Sequence, residues 1–229
     1  MKKTIIGCST GIICSLILAL GMGNIMHSQR TVSVRGLAEK EVDADLAVWK
    51  LSFSTGSNSM KELQNQIIHE TKLAEAFLKS HNLNASDYTV LSPEITDATV
   101  NMYSDPARRN YDYVGKQTIL IRSSNVQAVK AAAQDTIELL GQGVSVSSDW
   151  DGKVQYYFNG LNVIKPEMIA EATENARKAA EQFARDSKSK VGKIQNASQG
   201  LFSIEDAAPG LEYKKNVRVV TTVVYSLID

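Results

Sequence analysis

Beyond residue 26 the chain has no cysteine. Its two, Cys8 and Cys14, both lie in an apolar run near the N-terminus. The remainder therefore has no disulfide, no thiol nucleophile and no cysteine metal site, while Cys8 and Cys14 read as small apolar filler in a membrane helix. Histidine is scarce as well, with three in 229 residues. His27 ends the apolar run, His69 falls off the apolar stripe of the first predicted helix, and His81 falls at that helix's end, where the dipole favours it. They are too scattered for a metal trio, and no serine has a histidine partner in view, so neither a Ser-His-Asp nor a Cys-His site is arguable. An excess of one charge is also absent. Lys+Arg and Asp+Glu number 25 each, which gives no basis for nucleic-acid binding.

The first segment is distinctive. Met1-Lys2-Lys3 precedes an uncharged run from Thr4 to Met26. At about 1.5 Å per residue, roughly twenty such residues cross a hydrocarbon core of about 30 Å. The lysines mark the cytoplasmic end, so everything after His27 is expected in a periplasmic or extracytoplasmic space. Two versions compete. A cleaved signal peptide would use Ala19-Leu20-Gly21, while an uncleaved anchor explains why the run continues through Met22, Ile25 and Met26. A lipoprotein fits neither cysteine, since Cys8 comes too early and Cys14 lacks a lipobox. The expected division is residues 1–27 as anchor or signal and residues 30–229 as one α+β domain.

Along that domain, "TVSVRG" (Thr31 to Gly36) and "LAVWKLSFS" (Leu46 to Ser54) alternate as strands. Ser59 and Glu62 fit a capping box, opening a helix to about Lys79 with Leu63, Ile67, Ala74 and Phe77 at helical spacing. Asn82 suits its left-handed stop, with Leu83 packing back. Tyr88 to Val100 reads as a strand that Pro93 confines to an edge or breaks, followed by a polar loop holding Pro106 and a strand over Tyr113 to Ser123. Asn125 N-caps a helix through Leu140, which Gly141 and Gly143 end. "VSVSSDWDGKVQYYF" reads as a hairpin about Asp151-Gly152.

Pro166 opens the last helix, whose apolar face is Ile169, Ala172, Ala176, Ala179, Phe183, Ser187 and Val191. Glu174/Lys178 and Glu181/Arg185 are pairs four apart, and Gly192 is its stop. Strands around Lys193 to Ser198 and over "NVRVVTTVVYSLI" close the chain. The predicted fold is α+β: a largely antiparallel sheet with long helices packed on one face, preceded by one N-terminal transmembrane helix.

The ordered segments "TVSVRGLAEKEVDADLAVWKLSF" with Gly36 and Asp45, "FLKSHNLNASDYTVLSPEI" with Asp87 and Thr89, "YVGKQTILIRSSNVQAV", and above all "AEATENARKAAEQFARDSKSKVGKIQNASQG" resemble the SIMPL-domain family. That family was long described as a domain of unknown function and includes bacterial periplasmic immunogenic proteins. Ala44 departs from it, standing where the family often has proline. The resemblance implies an extracytoplasmic α+β protein that self-associates as a homo-oligomer, with a role in envelope or stress physiology. It brings no agreed catalytic residues.

The remaining motifs favour structure over chemistry. Asp149-Trp150-Asp151-Gly152 has part of a calcium loop, but Phe158 stands where the closing Glu belongs. Asp43 and Asp45 form a carboxylate pair in what reads as a solvent-facing turn. Gly141-Gln142-Gly143 follows a helix, the wrong side for cradling phosphate. Tyr156 and Phe158 share one face and Tyr157 the other, leaving core and oligomer contact both open. Arg108, Arg109, Tyr111 and Tyr113 mark an exposed loop, and Asn84 and Asn196 match a glycosylation pattern that means little in a bacterium. No catalytic, cofactor-binding or metal residue is nominated and no cofactor is expected. The predicted protein is a non-enzymatic, membrane-anchored scaffold, with a periplasmic ligand-binding or chaperone-like module as alternative and a hydrolase behind both.

Overall fold

In the computed structural model of the chain, the described residues are 30–100, 110–147 and 152–229. The expected membrane segment over residues 4–26, with Cys8 and Cys14, falls outside them, as do His27, Arg108, Arg109, Trp150 and Asp151. Among the described residues no helix is long and apolar enough to cross a membrane.

The elements are β1 (Thr31–Asp43), β2 (Leu46–Ser57), α1 (Met60–Ser80), β3 (Tyr88–Val90), β4 (Glu94–Asp97), β5 (Tyr113–Ser123), α2 (Val126–Gln134), α3 (Ile137–Gly141), β6 (Gln155–Tyr157), α4 (Leu161–Asp186), β7 (Lys190–Gln199), β8 (Ser203–Asp206) and β9 (Lys214–Ile228). The class is as expected, helices with antiparallel sheets. The expected single sheet, however, is two. One has the order β1-β9-β7 with β8 on β9, and the other β3-β5-β2-β6 with β4 on β5. The chain also divides into two compact units, one of Met168–Leu201, Val219–Asp229 and the chain up to Ala38, the other of Glu39–Glu167 and Phe202–Arg218.

In the larger unit, alternation along β2 turns Ala47, Trp49, Leu51 and Phe53 to one face, and β5 adds Ile119 and Ile121. Onto this face α1 packs Leu63, Ala74, Phe77 and Leu78, while α2 and α3 add Val129, Ala132 and Leu139. Fully burying each large apolar side chain contributes about 1.5–3 kcal/mol. Asn82 stops α1 with φ of 61°, and the Leu83 amide reaches back to the Leu78 carbonyl at 3.0 Å, as expected of a left-handed stop. Pro93 divides the predicted strand into β3 and β4. Arg218 and Glu39 pair at 3.3 Å, and the buried Lys215 ammonium is held by Asp206.

Three expectations fail here for local reasons. Ser59 makes no side-chain cap; instead Ser57 Oγ accepts the Ser59 amide at 3.1 Å and donates to Glu62 at 3.2 Å. The helix expected to run to Leu140 breaks at Asp135, because the Thr136 hydroxyl takes the Ala133 carbonyl at 3.2 Å and the Glu138 amide turns to the Asp135 carbonyl, a side-chain competition typical of such residues. The arms of the expected hairpin do not pair with each other among the described residues. Val146 bridges to Phe53 and β6 pairs with Leu46–Val48, so β2 is the partner of both.

In the smaller unit, α4 lies on the first half of β1 and the last half of β9. Its buried face is Met168, Ala172, Ala176, Ala180 and Ala184; Ala172 and Ala176 belong to the expected stripe, whereas Phe183 is 60% exposed. The steps are all of four residues, so the face winds slowly around the helix, and past Met168 it is alanine throughout. The reason lies on β1. A Cβ built on Gly36 would sit 1.8 Å from the Ala172 carbonyl oxygen and 2.4 Å from the Ala176 nitrogen. Backbone meets backbone there, and the Asn175 amide group locks the contact by donating to the Leu37 carbonyl at 2.8 Å. Val34, Val223 and the fully buried Tyr225 complete this core. At its end, Lys188 adopts φ of 56° and the Ser189 amide returns to the Ala184 carbonyl at 2.8 Å. The stop is therefore Lys188, and Gly192 lies inside β7. Glu174 and Lys178 pair at 2.8 Å as predicted, whereas Glu181 pairs with Arg177 instead of Arg185.

Gly36→Ala is expected to destabilise by at least about 1–3 kcal/mol, the usual cost of overpacking. Gly141→Ala, with nothing within 4 Å of the new Cβ, should be neutral or stabilising by up to about 1 kcal/mol in a helix. Urea titration of the two variants checks the contrast.

Candidate functional site

Asp45 is not half of a solvent-facing carboxylate pair. Its side chain accepts the Asn159 amide at 2.9 Å, the Gly160 amide at 2.7 Å and the Asn159 side-chain amide at 3.1 Å. These N–H groups lead into α4, so a carboxylate over a hundred residues earlier in sequence caps it and complements its dipole. That also explains why α4 begins at Leu161, five residues before the predicted start at Pro166. Asp43 is exposed and makes no such contact.

The two described histidines, His69 and His81, make no contact with each other. His69 is exposed, while His81 bonds Asp135 at 3.1 Å and the Phe77 carbonyl at 3.0 Å. Burial disfavours His81 protonation, yet the Phe77 carbonyl and the charges of Asp135 and Glu138 outweigh it and raise the pKa overall. Tyr156 is half-buried and meets Tyr213 edge-on at 6.3 Å, with Lys130 over the Tyr213 ring at 3.6 Å. Burial, then the negative charge of Glu212, pushes the Tyr156 hydroxyl pKa up. Phe158 is half-buried on the same side and Tyr157 is 44% exposed, so the predicted alternation holds. Gly143, at φ of 88°, follows α3 as a stop.

Among the buried polar groups that escaped sequence reasoning, two lie beside α1. Glu70 lies between Ile67 and Ala74 on the apolar stripe of α1, and its Oε2 is buried with no hydrogen-bond partner. Burial raises its pKa, against the opposing pull of the Thr55 hydroxyl and the His69 charge. The spacing alone, an acid at a stripe position, was a visible signal. Gln117 is 3% exposed and stands on the core-facing row of β5. Its Nε2 donates to the carbonyls of Leu91 at 2.6 Å and Thr118 at 3.2 Å.

Gln117 forms part of an open groove of about 430 Å³ between α1 and the β3–β4 edge. Its walls are Ile67, Ile68, Val90, Leu91, Pro93 and Ile95. Four of these, Ile68, Val90, Leu91 and Ile95, are each about 39–48% exposed; a cluster of this kind on a surface marks a binding region more often than single exposed side chains do. Lys72 and Glu75 of α1 line the same groove. The arrangement suits recognition of an apolar partner. Among the described residues no group of three or more His, Cys, Asp or Glu is placed to hold a metal ion.

The profile of a family described as SIMPL, a protein of unknown function (DUF541), matches residues 32–225. That span runs from β1 into β9 and takes in both sheets and helices α1 to α4. No curated protein matches the chain.

Asp45→Ala should cost about 1–2 kcal/mol, as loss of an N-cap does, while Asp43→Ala stays within about 0.5 kcal/mol; denaturant midpoints check the pair. For Glu70 the folded pKa lies above the model-compound value of 4.5. The fold therefore binds this proton more tightly, and stability falls as pH rises through that raised value. Glu70→Gln should raise the melting temperature near pH 7 and much less near pH 4, which calorimetry at both pH values checks.

Proposed function

The chain belongs to the SIMPL family, and from that premise we propose that it acts without catalysis, as a scaffold that assembles with its own copies at the extracytoplasmic face of a membrane. The segment over residues 4–26 is the membrane anchor in this reading, and envelope or stress physiology is the setting. The observation that carries the assembly is β7. This ten-residue strand pairs with β9 on one side, and most of its residues are exposed. Over Asn196 to Gln199 the ladder to β9 is regular, no proline interrupts it, and no charge sits on it. Natural sheets usually shield such an edge. A formal charge of zero offers no long-range repulsion between copies.

The Gly200 amide bonds the Val220 carbonyl, so by alternation Ser198 and Asn196 face β9 while Ala197 and Gln199 turn their peptide groups outward. Proline at position 197 would remove an outward N–H and leave the β9 ladder alone. Light scattering of the full-length protein should give a mass of several copies, and Ala197→Pro should shift it toward one copy without lowering the melting temperature. A strict monomer over a wide concentration range would end the assembly reading. Mass spectrometry of the mature N-terminus, together with carbonate extraction of membranes, distinguishes an anchor from a cleaved signal.

A specific observation, the apolar groove between α1 and β3–β4, favours the second reading, a ligand-binding module. The two readings use different surfaces and are separable.

A further inference from the structure

We propose that the groove between α1 and the β3–β4 edge is a binding site for a short extended peptide segment with bulky apolar side chains and an acidic residue. This inference rests on the binding reading of the scaffold and adds the class of partner.

Three features converge on such a ligand. The first is the apolar wall, with Ile68 and Ile95 about half exposed on either side. The second is Gln117. With its Nε2 donating to two carbonyls, the orientation of the amide is settled, because Oε1 there would face like charge. Its Oε1 accepts no hydrogen bond from a described residue, although the side chain is almost wholly buried. That oxygen lies on the wall of the open groove, where water or the donor of a ligand can reach it. A lipid carboxylate or acyl chain brings no donor, whereas a peptide brings an N–H at every non-proline residue.

The third feature is the edge itself. The Leu91 amide bonds the Thr118 carbonyl and the Arg122 amide bonds the Asp87 carbonyl. Asp87, Thr89 and Leu91 thus face β5, which leaves the peptide groups of Tyr88 and Val90 turned outward. In the same way Ala98 bonds Asp112, and Ile95 turns outward. An added strand finds main-chain partners there, as in other cases of strand addition. Pro93 interrupts the row, so only a few residues can pair, and the apolar side chains must supply the rest. Lys72 on the α1 side supplies a positive charge for the acid of the ligand, while Glu75 disfavours a second one.

The test uses the full-length protein in lipid nanodiscs, so that detergent does not fill the groove. The probe is a fluorescein-labelled octapeptide alternating valine and threonine, with one terminal aspartate, followed by anisotropy. Saturable binding is expected, weakened roughly tenfold or more by Ile68→Asp and separately by Ile95→Asp. Both residues are partly exposed, so both variants should fold; unchanged melting curves confirm it. N-methylation at a central peptide position should weaken binding as well, which reads out the main-chain and Gln117 acceptors. Lys72→Ala should reduce affinity for the aspartate peptide but not for its asparagine counterpart.

No saturable binding, or binding indifferent to both isoleucine variants, overturns the proposal. So does palmitate that binds more tightly and displaces the peptide, which would make the groove a lipid site. If Ile68→Asp or Ile95→Asp lowers the assembled mass, the groove belongs to a second copy and the peptide proposal falls. A protein that assembles but ignores the peptide leaves the assembly reading standing and ends this one.

Discussion

The contact between the α4 backbone and the β1 backbone at Gly36 governs the smaller unit. A helix normally stands about 10 Å from a sheet because side chains fill the gap. Here the gap at Gly36 admits no Cβ at all, so the α4 residues that meet it, Ala172 and Ala176, must be small. The four-residue steps from Met168 to Ala184 follow from this. A row of alanines buries little area per residue, and the unit draws its larger apolar contributions from Val34, Val223 and Tyr225. Its stability rests on closeness of approach, which dispersion rewards steeply and which any added methyl destroys.

The larger unit is built by the opposite means. Trp49, Phe53, Phe77 and several leucines and isoleucines fill the layer between helices and sheet, as interdigitated cores generally do. Within that layer Glu70 and Gln117 are two of the polar exceptions. Glu70 has a buried oxygen without a partner, while Gln117 donates to Leu91 at the edge and to Thr118 of β5 and leaves its acceptor beside a groove. Polar groups in such positions lower stability unless something else makes use of them. Asp45 is the counterexample, since three N–H donors surround it.

Much of this architecture was legible in the sequence. The alternation of β2 and β5, the stripe of α1, the Asn125 cap, the Asn82 stop and the break at Pro93 all follow from local patterns, and the family resemblance rested on those patterns in order. What failed was what local pattern does not encode. Around α4 alanine occurs on several sides, so hydrophobicity alone does not choose between the face through Ala179 and the face through Ala180; Gly36, far away in sequence, decides it. Asp45 caps a helix it does not neighbour in sequence. Lys188 takes a left-handed turn that Gly192 seemed better suited for, because the chain must already be extended at 190 to pair with β9. The groove was invisible for the same reason. Its walls come from a helix and two strands of three and four residues, and only the β5 ladder brings them together.

The β3–β4 edge and the β7 edge are handled differently, and the difference has physical content. The β3–β4 edge carries Val90 and Ile95, and an uninterrupted apolar edge of that kind would template aggregation. Pro93 limits it to short pieces, so main-chain pairing alone is too weak to hold a partner and side-chain fit must decide which one stays. The β7 edge belongs to a ten-residue strand whose ladder is regular over the four residues Asn196 to Gln199, and the side chains there bring little apolar burial. Pairing there gains its strength only when many hydrogen bonds form in register, as between identical strands of identical copies. An edge with side-chain grip and little ladder selects by sequence, whereas one with ladder and little grip selects by shape and repetition.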